Sequence, residues 1–454
     1  MNQHKMILNK HVLVLTLMLA IVLQSCFVAR PYQNPVTVDN SYYSTEVATG
    51  DTQNLANFSW KELFTDQKLQ QYITLALEHN TDMMNAVQQI NIAEAYLKQG
   101  KANFLPSVSA GITAGTTQNN SITGNLGWEA DIWGKIKSNK DAALAGLLRS
   151  QAAQQAVKSQ LVASLADTYY QLMALDEEKK ITEETIANRE NNLTTTRALK
   201  DAGTVSAVAV EQSHALLINS RGILVNLDNN IRLLENYFCL LLNIPAQPVE
   251  RNTLNEQQIS APLSVGVPVQ LLTNRPDVRV AEYNYMSTFF GTNAAKAAFY
   301  PSLTITAGAG FTASDFDKLF SPGALFGAVA GSLMQPIFNK RQIRTQYEVA
   351  SANQEIALNN YKRTILSAAK DVSDALFVYE AQNKLVDIKK TEFEHYDTII
   401  SYSRELVDNG MGNFLDVITA MQNSLNAQLN YVDAKYGRLS AVVQLYKALG
   451  GGWR

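Results

Sequence analysis

The chain has 454 residues, with 38 Lys and Arg against 41 Asp and Glu and a formal net charge of −3. That balance excludes the broad basic surface of a general nucleic-acid binder, and 46% hydrophobic with 17% charged residues excludes wholesale disorder. Two cysteines exclude a disulfide framework, a Cys-rich zinc site and an iron–sulfur cluster, and five histidines leave little for metal or acid–base chemistry.

Lys5 and Lys10 precede the apolar run Val12–Leu23. A basic start and a hydrophobic run too short to span a bilayer form the pattern of a secretory signal peptide over 1–25. The run closes on Leu23-Gln24-Ser25-Cys26, which resembles a bacterial lipobox with Cys26 as the lipidated first residue of the mature chain. An ordinary cleaved signal with an incidental cysteine is the alternative. Position 27 is Phe27 rather than Asp, which in lipoprotein sorting favours the outer membrane. The other thiol, Cys239 in the apolar run Tyr237–Leu242, reads as a buried helix residue. No later stretch has the ~20 apolar residues of a membrane helix, so any further insertion uses β-strands.

The rest is one unit written twice. Lys101-Ala-Asn-Phe-Leu-Pro-Ser-Val108 matches Lys296-Ala-Ala-Phe-Tyr-Pro-Ser-Leu303 at five of eight positions, 195 residues apart. Asn80-Thr-Asp82 and Arg275-Pro-Asp277 keep that offset. Ile132-Trp-Gly-Lys135 meets Ile337-Phe-Asn-Lys340 at 205, and Asp201-Ala-Gly203 meets Asp408-Asn-Gly410 at 207. The growth in offset places a longer loop near 313–324 in the second copy.

Ahead of each long helical segment, apolar and polar residues alternate: Leu105–Gly115, Ser121–Trp133, Leu303–Thr312 and, less cleanly, Leu325–Phe338. Period-two alternation over ten or so residues predicts strands with one apolar face, at the length of a transmembrane β-strand. The edge of a soluble sandwich would show the same pattern, but a compact sandwich has no room beside the helices that follow. From Ile136 to Ala202 the only glycine is Gly146, and from Arg341 to Asn409 there is neither Gly nor Pro. With the usual stops absent, each segment predicts a helix, the second about 100 Å long. Each stops at a glycine turn, and return helices follow over Ser206–Asn243 and Asn413–Leu449. Four strands cannot close a barrel, so the chain contributes them to an oligomer.

Trp128-Glu-Ala-Asp-Ile-Trp-Gly-Lys135, Asn274-Arg-Pro-Asp-Val278, Phe299-Tyr-Pro-Ser302 and Gln335-Pro-Ile-Phe338, with the lipobox, resemble the outer-membrane efflux protein family of the TolC superfamily. The likeness is nearest to its OprM- and NodT-type channel lipoproteins. It implies a mainly α chain with transmembrane β-structure. Three copies would make a twelve-stranded barrel and a periplasmic α-barrel tube with a mixed equatorial belt. In domain terms it implies a lipoprotein signal (1–25), an N-terminal segment with the first equatorial helices (26–104), a first β-hairpin (105–134) and a first helical hairpin (135–243). An equatorial connector (244–275), a second-repeat helix (276–300), a second β-hairpin (301–338) and a second helical hairpin with the C-terminal end (339–454) follow.

The implied function is a passive exit duct for a tripartite pump. Its partners would be two further copies, a periplasmic membrane-fusion adaptor, an inner-membrane RND-type transporter and outer-membrane lipid. No cofactor is expected beyond the lipid on Cys26. The tip turns Gly203, Thr204, Val205 and Gly410, Met411, Gly412 would meet the adaptor, and would also cap the helices. The family pattern carries two aspartates three residues apart behind the second turn. Here those positions are Asp416 and Thr419. One ring of three carboxylates would remain as pore gate, unless Asp416 is simply a solvated helix residue. Pro106 and Pro301 stand at the helix–strand junctions, where proline ends a helix and opens a strand. Trp128 and Trp133 read as interface aromatics or as core.

Two rivals are weaker. An enzyme would need a convergent nucleophile, acid or base. The chain has no His-Glu-x-x-His, no Gly-x-Ser-x-Gly and no phosphate-binding glycine loop at a strand-to-helix turn. A coiled-coil scaffold would explain the helices but not the strands. For the duct, small molecules such as drugs are the expected cargo, with heavy-metal cations or secreted proteins as alternatives. The scattered methionines give no Met-rich copper path.

Overall fold

The computed structural model describes residues 29–36, 55–115, 120–257 and 270–454. The expected lipidation residue, Cys26, lies outside them. The described elements are α1 (Trp60–Leu63), α2 (Gln67–His79), α3 (Thr81–Ala102), β1 (Ser107–Thr113), β2 (Asn120–Ala130), α4 (Lys135–Asp201) and α5 (Ala207–Leu242). They continue with α6 (Leu271–Asn274), α7 (Pro276–Ala297), β3 (Ser302–Ala313), β4 (Leu325–Met334), α8 (Gln342–Asp408) and α9 (Phe414–Ala448). The two longest helices, α4 and α8, have 67 residues each. The chain divides into two units, one of residues 1–37, 88–152 and 279–364 and one of residues 38–87, 153–278 and 365–454.

The first unit is built on a four-stranded antiparallel sheet in the order β1-β2-β3-β4. Val108 faces Leu126, Ile112 faces Ile122, Trp128 faces Ile305 and Leu303 faces Leu333. Directly opposed residues share a face, so the even residues of β1 and β2 and the odd residues of β3 and β4 form one apolar surface. Strand β2 stops at Ala130, short of the expected Trp133, because Asp131 turns to cap α4. Its carboxylate accepts from the backbone N–H of Ile136 and Lys137, both at 2.8 Å. Strand β4 stops at Met334, before Gln335-Pro336, where the proline cannot donate to a ladder.

The structure also corrects the alignment of the repeats. Ser107 pairs with Gly127 and Ser302 with Met334, so β1 maps on β3 at 195 and β2 on β4 at 207. The offset of 205 read from Ile132-Trp-Gly-Lys135 is two residues short. Helix starts at Lys135 and Gln342, and left-handed residues at Gly134 and Arg341, agree on 207. The added length falls in the β3–β4 connection, which carries short 3₁₀ turns at Phe316–Lys318 and Pro322–Ala324.

Residues 29–36 lie against α7 in the same unit. The Tyr32 ring packs against Tyr285, Phe289 and Phe290, and Asn34 Nδ2 donates to Glu282 and to the Tyr361 hydroxyl, each at 3.0 Å.

The second unit has its own core of Leu55, Leu63, Phe64, Leu69 and Ile73 against Tyr169, Tyr170, Phe238 and Tyr446, all buried. Asp66 is its polar centre. The carboxylate caps α2 through the N–H groups of Lys68 and Leu69 and accepts from the Tyr169 hydroxyl, Asn252 Nδ2 and Gln257 Nε2. Buried Cys239, expected inside a helix, donates to the Gln247 carbonyl from α5.

Candidate functional site

The two helix-reversing turns are built alike. At the end of α4, Gly203 has φ +78°, its N–H donates to the Lys200 carbonyl at 2.9 Å, and the Thr204 N–H donates to the Leu199 carbonyl at 2.8 Å. At the end of α8, Gly410 has φ +70°, its N–H donates to Val407 at 3.0 Å, and the Met411 N–H donates to Leu406 at 2.8 Å. This double bond pattern with a left-handed glycine is the Schellman stop, and glycine takes that φ without a Cβ penalty. Each return helix then starts on a side-chain cap, Ser206 for α5 and Asn413 for α9. Gly203, Thr204, Gly410, Met411 and Gly412 are exposed and Val205 is half-exposed. The N–H groups of Gly203, Thr204, Gly410 and Met411 are therefore spent inside the turns, and the side chains the turns present outward are those of Thr204, Val205 and Met411.

Asp416 and Thr419 stand on the first turns of α9, both exposed, while Val417, Ile418 and Ala420 are buried. Residues three apart share a helix face, so the carboxylate and hydroxyl present one solvent-facing stripe. Thr419 Oγ1 donates to the Leu415 carbonyl at 2.9 Å.

Next along α9, Gln422 Oε1 accepts from Arg189 of α4 at 3.2 Å. Arg189 was not singled out by sequence reasoning; a lone arginine in a long helix carries no local signal. Its side chain is 1% exposed and donates to the Leu216 carbonyl at 2.6 Å and to Ser220 Oγ at 2.7 Å, both on α5. Nε has no hydrogen-bond partner among the described residues. Burial lowers the guanidinium pKa to about 10, which leaves it charged at neutral pH. One cation therefore ties α4 to α5 and α9.

Farther from the turns, Glu178 of α4 is buried beside Asp433 of α9. Burial first, then the neighbouring carboxylate, pushes its pKa up to about 8. Arg275, the centre of Asn274-Arg-Pro-Asp-Val278, has a structural post. Its fork grips Asp277 at 3.0 and 2.7 Å and reaches Asp371 at 3.0 Å, while Nη1 donates to the Ala448 carbonyl at 3.0 Å. The equivalent residue of the first repeat, Asn80, does another job. Its side-chain oxygen caps α3 by accepting from Asp82 and Met83.

Pro106 and Pro301 immediately precede β1 and β3. The tryptophans beside them act as hydrogen-bond donors at these junctions. Trp128 Nε1 donates to the Phe104 carbonyl at 2.9 Å, and Trp133 Nε1 donates to the Pro301 carbonyl at 2.7 Å while stacking on Tyr300. In the second repeat Gln335 takes the place of Trp128, and its Nε2 donates to the Phe299 carbonyl at 3.0 Å.

Among the described residues no group of three or more His, Cys, Asp or Glu side chains could hold a metal, and no helix is long and apolar enough to cross a membrane.

The family model for outer membrane efflux proteins matches residues 72–236 and again 267–451, one stretch per repeat. The cation efflux system protein CusC of Escherichia coli is 26% identical over 448 residues, covering 96% of this chain and 97% of that protein. The solvent efflux pump outer membrane protein SrpC of Pseudomonas putida is 27% identical over 455 residues, covering 95% and 97%. The open-state structure of the MtrE outer membrane channel of Neisseria gonorrhoeae superposes with a TM-score of 0.85 at 24% identity, covering 94% of this chain and 99% of that one. Proteins so described are channel components rather than enzymes.

Proposed function

The chain belongs to the outer membrane efflux protein family, and from that premise we propose that it is the trimeric exit duct of a tripartite RND-type pump, passing small molecules such as drugs to the cell exterior. The observation that carries this reading is a four-stranded sheet with one apolar face and two unpaired edges, connected directly to helices of 67 residues. Lipid rewards the apolar face but penalises open edges, since unpaired backbone groups cost several kcal/mol each there. Three copies would close twelve strands, and the helical hairpins would line a tube across the periplasm. Transport through it is passive, the energy coming from the inner-membrane partner.

Within this reading Cys26 carries the lipid anchor and the exposed turns at Gly203–Val205 and Gly410–Gly412 receive the adaptor. Asp416, alone on its stripe with Thr419, supplies the gate carboxylates, a ring that favours cations at a constriction.

For cargo, a second reading rests on the relatives themselves. CusC is described as a cation efflux protein and SrpC as a solvent efflux protein, at nearly equal identity. A duct for heavy-metal cations therefore stands beside the small-molecule one, with type I protein secretion as the remaining alternative. A strain lacking the gene, with and without complementation, tested against antibiotics, detergents, bile salts, dyes, copper and silver, separates them. Hypersensitivity to unrelated amphiphiles is the expected result. Sensitivity confined to metals would put the cation reading first, and a protein-secretion defect without any sensitivity would overturn both.

A further inference from the structure

The β3–β4 connection, which holds the length added in the second repeat, does not stand away from the sheet. It folds back over the apolar face. Phe311 belongs to that face, opposite Ile122 on β2 and Leu325 on β4. The Phe320 ring lies against the Phe311 ring, with centroids 5.8 Å apart. Leu319 and Ala324 are buried and hold the connection down, whereas Phe316 and Phe320 are 64% and 67% exposed. Single exposed apolar residues are ordinary on a protein surface. These two rings differ because they continue an apolar face, on the side of the sheet that carries Leu303, Ile305 and Val329.

The backbone of the connection is prepared for leaving water. The N–H groups of Lys318, Leu319, Ser321 and Ala324 donate to the carbonyls of Asp315, Phe316, Lys318 and Ser321 at 3.0 to 3.2 Å, and Pro322 has no N–H to satisfy. Peptide groups paired within the segment lower the cost of placing it against lipid. The side-chain charges are also balanced, since Lys318 Nζ donates to Asp315 at 2.6 Å.

Spacing along the strand gives a third observation. At the opposite end of β3, Trp133 stacks on Tyr300 and donates to the Pro301 carbonyl. From Pro301 to Phe311 the strand runs about 33 Å at about 3.3 Å per residue. At a tilt of about 40° this is about 25 Å of height, the height of the apolar band that aromatic girdles flank in outer-membrane barrels. The Phe311–Phe320 pair and the Trp133–Tyr300 pair therefore stand one band apart.

We propose that the β3–β4 connection is a membrane-surface anchor, with Phe316 and Phe320 seated among the lipid headgroups of the outer leaflet. The proposal rests on the membrane reading of the sheet above and adds a lipid-contacting segment outside the strands. Asp317, exposed between the two rings in sequence, stays on the aqueous side.

Nitroxide labels read the depth of each position. Phe316→Cys, Phe320→Cys, Asp317→Cys and Val329→Cys are each made in full-length protein with Cys239→Ala, labelled, and reconstituted in vesicles of phosphatidylethanolamine and phosphatidylglycerol. Collision with oxygen, which concentrates in lipid, is compared with collision with a water-soluble nickel chelate. Val329, on the apolar face of β4, is expected to give the highest oxygen-to-nickel ratio. Phe316 and Phe320 are expected to fall below Val329 and at least about fivefold above Asp317, as for side chains sunk about 5–10 Å into the headgroup boundary. Either ring position alone carries the result should the other variant fail to fold. Ratios at Phe316 and Phe320 equal to that of Asp317, with Val329 still in lipid, would overturn the anchor and leave the membrane reading of the sheet standing. Protection of both positions from both colliders would also overturn it, since protein would then cover the rings. An aqueous ratio at Val329 would overturn the anchor and the membrane reading together.

Discussion

Arg189 of α4 and Gln422 of α9 meet at 3.2 Å, joining the two repeats through a buried cation with no carboxylate partner among the described residues. Its neutral hydrogen bonds offset only part of the desolvation of a charge. Substitution need not orphan its partners. Ser220 Oγ already donates to the Leu216 carbonyl, and Gln422, whose Oε1 would lose its donor, is half-exposed to solvent. Arg189→Met, which keeps the volume and removes the charge, is therefore expected to stabilise the protein by about 1–2 kcal/mol. Chemical denaturation in detergent measures it, and a loss of comparable size would mean that the three-helix tie outweighs the burial cost.

Glu178 and Asp433 give the α4–α9 contact a pH dependence of definite sign. The folded chain holds Glu178 protonated up to about 8, whereas an unfolded glutamate releases its proton near the ordinary carboxyl value. The neutral form's contribution is thus fully present at acid pH and declines as pH rises toward about 8. Denaturation midpoints followed from pH 5 to 9 should fall over that window and then level off. Glu178→Gln, which keeps a neutral side chain of the same shape, should flatten this decline. An unchanged slope would assign the pH dependence elsewhere.

The helices and glycine turns were legible because each has a local cause. Missing Gly and Pro remove helix stops, and Gly203 and Gly410 supply left-handed stops where they are needed. Strand ends and the fine repeat offset were less legible. Asp131 could have extended β2 or capped α4, and only the hydrogen bonds to Ile136 and Lys137 decide. Likewise Ile132-Trp and Ile337-Phe look equivalent as letters, but the backbone aligns Trp128 with Gln335, a pair with no side-chain likeness beyond an N–H donor. Arg189 and Glu178 gave no signal at all, because their environment comes from helices far away in sequence.

Arg275 should tolerate no simple replacement. Nε and Nη2 hold both Asp277 oxygens, Nη2 also donates to Asp371, and Nη1 donates to the Ala448 carbonyl. A lysine presents one point charge and cannot reproduce this set. Arg275→Met would leave the half-exposed carboxylates of Asp277 and Asp371 without this partner and is expected to cost about 1.5–3 kcal/mol, with Arg275→Lys intermediate. Burial pushes the Asp277 carboxyl up, but Arg275 more than offsets this and holds it below the usual carboxylate range. The pair's contribution is therefore complete at neutral pH and lost as pH falls through that depressed value. Thermal unfolding of both variants at pH 7 and in acid below that depressed value checks the claim. Equal losses at the two pH values would show that packing, not charge pairing, holds the motif.

Asp416 and Thr419 allow the proposed gate to be tested in both directions. Both side chains are exposed on one stripe of α9, with Val417 and Ile418 buried behind them. Replacing either therefore changes the exposed stripe with little effect on the core. Asp416→Ala should raise the open-state occupancy seen in single-channel recordings in planar bilayers, since three carboxylates would leave the constriction. Thr419→Asp adds a second carboxylate three residues on, close enough for the two to act on one cation. It should introduce a block by millimolar divalent cations that the unmodified channel lacks or shows only weakly, as a second carboxylate ring narrows and charges the pore. Unchanged conductance and closed-state occupancy in Asp416→Ala would remove that residue from the gate. A divalent block of equal strength with and without Thr419→Asp would place the constriction away from this turn of α9.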